Sequence, residues 1–324
     1  MNSDKLPLIV LTGPTAVGKT ALSIELARRV KGQIISADSM QIYKYMDIGT
    51  AKIKPEEMNG IKHYLIDELE PDQPFNVTVF KEMAVRAMQE IRKSGYIPII
   101  TGGTGFYIQS VLYDIEFEDN NNDTSYRQEL YEIANTKGAE YLHDMLKTTD
   151  PESARDIHAN NVKRVVRALE YYRQTGRKIS EHNKEQREND SPYNYAYFVL
   201  NDEREHLYNR INQRVDEMFD SGLINEVKVL KEKGYTCDMV SMQGIGYKEV
   251  LDYFDGMYDL EELRNVIKKD TRHLAKRQLT WFRREKSVNW VNVDELSYDS
   301  GKILDYMLDI LRKKGVISDN EEHV

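Results

Sequence analysis

Residues 13–20 read Gly-Pro-Thr-Ala-Val-Gly-Lys-Thr and fill every fixed position of a G-x-x-x-x-G-K-[ST] phosphate loop. The run Leu8-Ile9-Val10-Leu11 before them has the pattern of a buried parallel strand. Ala21-Leu22-Ser23-Ile24-Glu25-Leu26-Ala27 after them has that of a helix. Strand, loop and helix start together aim backbone N–H groups and the positive end of a helix dipole at an anion. Gly13, Pro14, Thr15, Ala16, Val17, Gly18, Lys19 and Thr20 are therefore expected to hold a pyrophosphate group, with Lys19 as a point charge and the Thr20 hydroxyl available to Mg2+. The motif alone reads as ATP-binding, but it does not say whose phosphates it holds.

Strand patterns recur at residues 6–12, 33–36, 63–67, 97–101 and 195–200, with helices at 19–30, 79–93 and 104–112. That alternation predicts an α/β fold, a P-loop NTPase-like parallel sheet flanked by helices. The pattern breaks after Tyr113. Residues 116–123 are acidic, Asn-rich and loop-like, residues 125–175 read as helical without a strand, and 176–192 are polar. The expected organisation is a catalytic core from 1–112 plus 195–324 and a helical insertion at 113–194, although the helix at 162–172 could pack on the core instead. The C-terminal part reads as mostly helical, with a frayed tail from Ser318.

At 324 residues, 40% hydrophobic and 31% charged, the chain has the balance of a globular protein. No apolar run reaches the length of a membrane span and no signal-peptide core precedes the first strand, so no membrane partner and a cytoplasmic location are expected. The single Cys237 can form neither an internal disulfide nor a Cys-based zinc site, and His63, His143 and His158 have no metal-ligand spacing. A net charge of -9 argues against indiscriminate nucleic-acid binding, so any such activity must use local patches. One patch is Lys268, Lys269, Arg272, Lys276, Arg277, Arg283, Arg284 and Lys286, against Asp270 and Glu285; Leu274, Leu279 and Phe282 can supply its apolar face. A weaker one is Lys163, Arg164, Arg167, Arg173, Arg177 and Lys178. Each reads either as a solvated helix face or as a footprint for an RNA backbone.

In an open α/β sheet the ligand crevice lies outside the carboxyl ends of the strands. Asp38, in the segment Ser36-Ala37-Asp38-Ser39-Met40-Gln41-Ile42-Tyr43, follows the second strand, and Thr101-Gly102-Gly103-Thr104-Gly105 ends the fourth. Both should open toward the phosphate loop. Position alone leaves Asp38 as a proton acceptor, a metal-associated carboxylate or a turn carboxylate. Arg210 and Arg214 share a helix face by their i, i+4 spacing, opposite a stripe of Leu207, Ile211, Val215 and Met218.

GPTAVGKT, SADSMQIYKYMDIGTAK, GGTGFYIQS, the string N-x-x-R-x-x-R-A-L-E beginning at Asn161, MQGIGYKE and AKRQLTWFR occur in that order along nearly the whole chain. Together they closely resemble the tRNA dimethylallyltransferase family, which prenylates adenosine 37 beside the anticodon. The resemblance implies that the loop holds the pyrophosphate of dimethylallyl diphosphate rather than ATP, with Mg2+ on Thr20, and that Arg214 binds the same pyrophosphate. It implies that Asp38 is the general base, and that Asp38, Lys19, Thr20 and Arg214 carry the catalysis. Asp38, Ser39, Met40 and Gln41 would meet the incoming adenine, with Gln41 donating and accepting on a base edge. Thr104, Arg127, Lys163 and Arg164 match further positions that would contact the anticodon stem-loop. So do Gln243, Gly244, Ile245, Gly246, Tyr247 and Lys248, and in the last motif Lys276, Arg277, Gln278 and Arg283. Trp281 and Phe282 read as core aromatics rather than stacking platforms. Cys237 alone excludes the C-terminal zinc finger of some relatives, and a monomer is expected.

The chemistry fits the scaffold. An allylic carbon bonded to pyrophosphate becomes a good electrophile when the leaving group's growing charge is held by Lys19, backbone N–H groups and Mg2+. The adenine N6 amine is a weak nucleophile that loses a proton as it bonds, which a carboxylate can accept. Two rivals share the loop. A prenyltransferase acting on free adenine nucleotides would not need the insertion or the basic C-terminal segment. A small-molecule kinase would leave SADSMQIY and GGTG unexplained. A non-enzymatic RNA-binding GTPase is disfavoured by the lack of an N-K-x-D string.

Overall fold

The structure, a computed structural model, describes residues 5–117 and 125–318. Most of the acidic stretch at 116–123, all of the tail after Ser318 and the first four residues lie outside them. Two compact units are present: one runs to Leu112 and resumes at Pro192, and the other is Tyr113–Ser191.

The first unit opens with β1 (Leu6–Thr12), α1 (Lys19–Arg29), β2 (Gly32–Ser36), β3 (His63–Tyr64), α2 (Val77–Lys93), β4 (Ile97–Gly102) and α3 (Gly105–Leu112). α2 starts two residues before the expected Val79 because the Asn76 side chain accepts the N–H groups of Thr78 and Val79. β3 is cut short at Tyr64, where Leu65 and Asp67 turn to positive φ.

The second unit contains α4 (Ser125–Lys137), α5 (Ala139–Thr149), α6 (Pro151–Asp156), α7 (Val162–Thr175) and α8 (Ile179–Glu188). These helices have their own core, including Leu130, Leu142, Leu146, Val165, Val166 and Leu169. α7 therefore packs within this unit. α8 forms in the polar stretch at 176–192; Asp150 caps α6 through Ser153 and also accepts bonds from the Ser180 N–H and hydroxyl.

The first unit resumes with β5 (Tyr193–Asn201), α9 (Arg204–Asp220), α10 (Leu223–Glu232), α11 (Tyr247–Phe254), α12 (Leu260–Phe282), β6 (Val288–Asn292) and α13 (Ser300–Lys313). The strands form one six-stranded sheet in the order β3-β2-β4-β1-β5-β6, and every pairing is parallel. The C-terminal part is mostly helical, as expected, and β6 is its one element the sequence pattern did not show among the described residues: five residues without a strong apolar run add an edge strand beside β5. Helices cover the sheet, so Leu8, Ile9, Val10 and Leu11 of the inner β1 are wholly buried and the strand reads as a continuous apolar run. α1 and α13 share a core with the sheet through Leu22, Leu26, Ile303, Met307 and Leu311.

This order lays the carboxyl ends of β2, β4 and β1 side by side. Ser36 pairs with Thr101, and Thr12 with Gly102. Reciprocal bonds fix β1 to β4, from the Thr12 hydroxyl to the Gly102 carbonyl at 2.6 Å and from the Thr101 hydroxyl to the Leu11 carbonyl at 2.8 Å. Three loops thus leave one edge of the sheet together.

Candidate active site

The loop between β1 and α1 is closely determined. Gly13 has φ +151°, and a Cβ there would lie 2.7 Å from the Leu200 carbonyl oxygen, so only glycine fits. Gly18 precedes α1 in a left-handed conformation with no side-chain cap, leaving the first N–H groups of α1 for an anion. Lys19 Nζ donates to the carbonyls of Gly13 at 2.9 Å and Pro14 at 2.7 Å. Burial, and then the neighbouring Arg214 cation, lower the Lys19 ammonium to about 7, with Asp38 pulling the other way. Lys19, Arg214 and Asp38 therefore share one electrostatic environment.

Two arginines on α9 complete the positive charge. Leu207, Ile211 and Val215 bury one face of that helix. On the other, Arg210 Nη2 reaches to 3.6 Å from where a Gly18 side chain would begin. Burial is the main cause that lowers the Arg214 pKa, followed by Arg210, against a weaker pull from Glu217. Neither arginine has an ion-pair partner among the described residues, so both join Lys19 near an anion-binding helix start with no carboxylate paired to them. Arg210 was legible only as the i−4 neighbour of Arg214; its reach to Gly18 needs the fold.

After β2, Asp38 Oδ1 accepts the N–H groups of Met40 at 2.8 Å and Gln41 at 3.3 Å, while Oδ2 has no partner among the described residues. The loop after β4 is hydrogen-bonded to the same segment, Ala37 N–H to the Thr101 carbonyl at 2.7 Å and Thr104 N–H to the Ala37 carbonyl at 3.2 Å. Tyr107, on α3, stacks on Phe80 with ring centroids 4.7 Å apart. Its phenol is pushed up to about 12 by burial and then by Tyr43 and Asp38, which makes it a neighbour of the carboxylate.

A carboxylate outside all the sequence motifs holds the loop that follows. Glu226 on α10 accepts the N–H groups of Asp47, Ile48 and Gly49 at 3.0, 2.7 and 3.1 Å and the Tyr247 hydroxyl at 2.6 Å. Glu226→Ala is expected to lower the melting temperature by several degrees, since an unpaired buried polar group costs about 1–3 kcal/mol. Tyr247→Phe removes one bond of the four and should lower it by less. Thermal unfolding followed by circular dichroism checks the order, and two wild-type melting temperatures would remove this latch.

Several residues expected to meet tRNA have other partners. The Gln41 amide accepts from the Ser36 hydroxyl at 3.1 Å and donates to the Thr50 carbonyl at 3.2 Å, so both ends expected to read a base edge are engaged within the protein. Tyr247 is fully buried on Glu226, and Gly244 and Gly246 are buried with it. Gln278 accepts the Thr15 N–H at 2.9 Å and donates to the Gly103 carbonyl at 3.1 Å. In the second unit, Arg127 grips the buried Glu170 through two bonds of 3.0 and 2.8 Å. Ser39, Met40, Thr104 and Ile245 are half-buried, while Gln243, Lys248, Lys276, Arg277 and Arg283 are exposed.

The basic patches divide. Lys268 pairs with Asp216 at 2.7 Å and Arg272 donates to Asn212 at 2.5 Å, both on α9, so the first half of the larger patch fastens two helices. Lys276, Arg277, Arg283 and Arg284 are exposed and have no carboxylate within ion-pair distance among the described residues. In the smaller patch Arg167, Arg177 and Lys178 pair with Glu170, Glu185 and Glu181, and Arg173 lies over Tyr126. Lys163 and Arg164 stay exposed without such a partner among the described residues. Phe282 is fully buried, and Trp281 packs on Gly105 and edge-on to Phe106. No group of three or more His, Cys, Asp or Glu side chains suited to a metal is present among the described residues. A hydroxyl such as the exposed one of Thr20 suits Mg2+ held mainly by a phosphate ligand and water.

The sequence model of the IPP transferase family matches residues 41–285. A tRNA dimethylallyltransferase of Lachnoclostridium phytofermentans is 58% identical over 311 residues, 96% of this chain and 99% of the relative. The crystal structure of a full-length tRNA isopentenylpyrophosphate transferase from Bacillus halodurans is 43% identical, with a TM-score of 0.72 over 96% of this chain and 98% of that one. A eukaryotic dimethylallyltransferase solved acting on tRNA superposes with a TM-score of 0.81 at 28% identity, covering 98% of this chain and 82% of that one.

Proposed function

The chain belongs to the IPP transferase family, and from that premise we propose that it transfers the dimethylallyl group of dimethylallyl diphosphate to N6 of adenosine 37 in tRNA, releasing diphosphate. The observation that carries this reading is the convergence of Lys19, Arg210 and Arg214 on the phosphate loop with Asp38 beside them and no structural counter-ion for the arginines. Such a pocket stabilises a leaving diphosphate and keeps a proton acceptor next to it.

Lys19, Arg210, Arg214 and the N–H groups at the start of α1 bind the diphosphate and hold its charge as the C–O bond breaks. The Thr20 hydroxyl would help hold Mg2+, which would supply further charge neutralisation there. Asp38 accepts the N6 proton as the new C–N bond forms. The adenine must leave the stack of the anticodon loop to reach the allylic carbon. Half-buried Ser39, Met40 and Thr104 border the Asp38 segment it would enter, and exposed Gln243, Lys248, Lys276, Arg277, Arg283, Lys163 and Arg164 would hold the RNA. No helix among the described residues is long and apolar enough to cross a membrane. We take the enzyme to act as a cytoplasmic monomer.

Incubation with unmodified tRNA, Mg2+ and dimethylallyl diphosphate, followed by nucleoside analysis, is the direct test; N6-dimethylallyladenosine at position 37 is expected. Prenylation of free AMP but not of tRNA would install the nucleotide rival. Phosphoryl transfer from ATP to a metabolite would install the kinase. Neutralising Lys276, Arg277 and Arg283 together is expected to weaken tRNA binding and to reduce the slope of log affinity against log salt by about 2 to 3, one counterion per lost phosphate contact. Affinity for dimethylallyl diphosphate should hold. An unchanged salt slope would make α12 a solvated helix and move the footprint elsewhere.

A further inference from the structure

Resting on that reading, we propose that Gln278 positions the diphosphate loop and does not contact tRNA: its amide fastens Thr15 of the phosphate loop to Gly103 of the loop after β4. Both ends of the side chain are in use, Oε1 accepting the Thr15 N–H at 2.9 Å and Nε2 donating to the Gly103 carbonyl at 3.1 Å. The amide also lies flush against backbone, since a Cβ on Gly103 would come within 2.1 Å of Nε2. A base or phosphate would have to break these bonds before touching it.

The loop's shape then has two fasteners. Lys19 holds it from inside by the carbonyls of Gly13 and Pro14, and Gln278 holds it from α12 by the next N–H along the chain. Together they fix which N–H groups converge on the anion, and preorganised donors of that kind set affinity for a diphosphate. Three residues further along α12, Trp281 packs on Gly105, so this face of the helix is pressed against residues 103–105. Lys276 and Arg277 are exposed on the same turn as Gln278. One turn of helix thus carries candidate RNA contacts and a fastener of the diphosphate cradle.

The test separates the two substrates. Titration calorimetry on the full-length protein would measure dimethylallyl diphosphate binding without tRNA, and an anticodon stem-loop would be titrated without the diphosphate. Gln278→Met, which keeps the volume and removes both bonds, is expected to weaken diphosphate binding about 5- to 30-fold, as loss of one or two hydrogen bonds gives. Stem-loop affinity should stay within about twofold, and KM for dimethylallyl diphosphate should rise while KM for tRNA holds. Arg277→Ala should show the reverse pattern. Gly103→Ala, which drives a Cβ into the amide, is expected to reproduce the Gln278→Met pattern and guards against a variant that merely folds poorly. Unchanged diphosphate affinity in both variants, or a loss of stem-loop affinity matching that of Arg277→Ala, overturns the proposal. Wild-type protein that binds no diphosphate would instead overturn the prenyl-transfer reading, and this role with it.

Discussion

Replacing Asp38 with asparagine is expected to lower kcat and kcat/KM together by about 10²- to 10⁴-fold, the contribution of a positioned base. Asparagine is the informative substitution because Asp38 has two tasks. Its Oδ1 accepts the N–H groups of Met40 and Gln41 and so shapes the turn after β2. The asparagine carbonyl can keep those bonds, since both residue types form such turns. What it loses is the ability to take a proton. Melting temperature and dimethylallyl diphosphate binding should therefore stay near the wild-type values while single-turnover prenyl transfer collapses. An asparagine variant with near-normal kcat would leave Asp38 as a turn residue, the alternative that its position in the sequence left open.

Local signals made the fold legible. The phosphate loop lies between an apolar run and a helix, and β2 and β4 end in SADS and GGTG, so the three loops at the sheet edge followed from strand-helix alternation. Helix starts were less legible: the Asn76 cap moves α2 two residues ahead of the expected Val79, and the Asp259–Glu262 capping box that opens α12 was not read from the sequence. β6 was not, because a five-residue edge strand takes its stability from pairing with β5 rather than from its own pattern. Side-chain partners were the least legible part of the site. Gln278 meets Thr15 across 263 residues and Tyr247 meets Glu226 across 21, and no periodicity encodes such pairs. The basic patches were legible only as groups for the same reason. Which cations stay free depends on where Asp216 and Glu170 are brought by the fold, and Lys268 and Arg167 could be sorted from Lys276 and Lys163 only once those carboxylates had positions.

Lys19→Ala and Arg214→Ala are each expected to reduce kcat/KM for dimethylallyl diphosphate by about 10²-fold or more, because each cation lies where the leaving group's charge grows. Lys19 adds a pH signature that Arg214 cannot. In the free protein its ammonium titrates at about 7, lowered by burial and then by Arg214. A bound diphosphate replaces the missing counter-charge and raises that pKa, so above about pH 7 binding must take up a proton. The direction follows from linkage: the complex binds more protons than the free protein, so affinity falls as pH rises, by up to about one log unit per pH unit before the bound form itself titrates. Calorimetry at pH 8 in two buffers of different ionisation enthalpy should report proton uptake in the wild type and less in Lys19→Ala. The ligand's own titration is common to both proteins and cancels in the comparison. Equal proton uptake by the two would mean that Lys19 stays charged in the free cradle and that its contribution is coulombic at every pH.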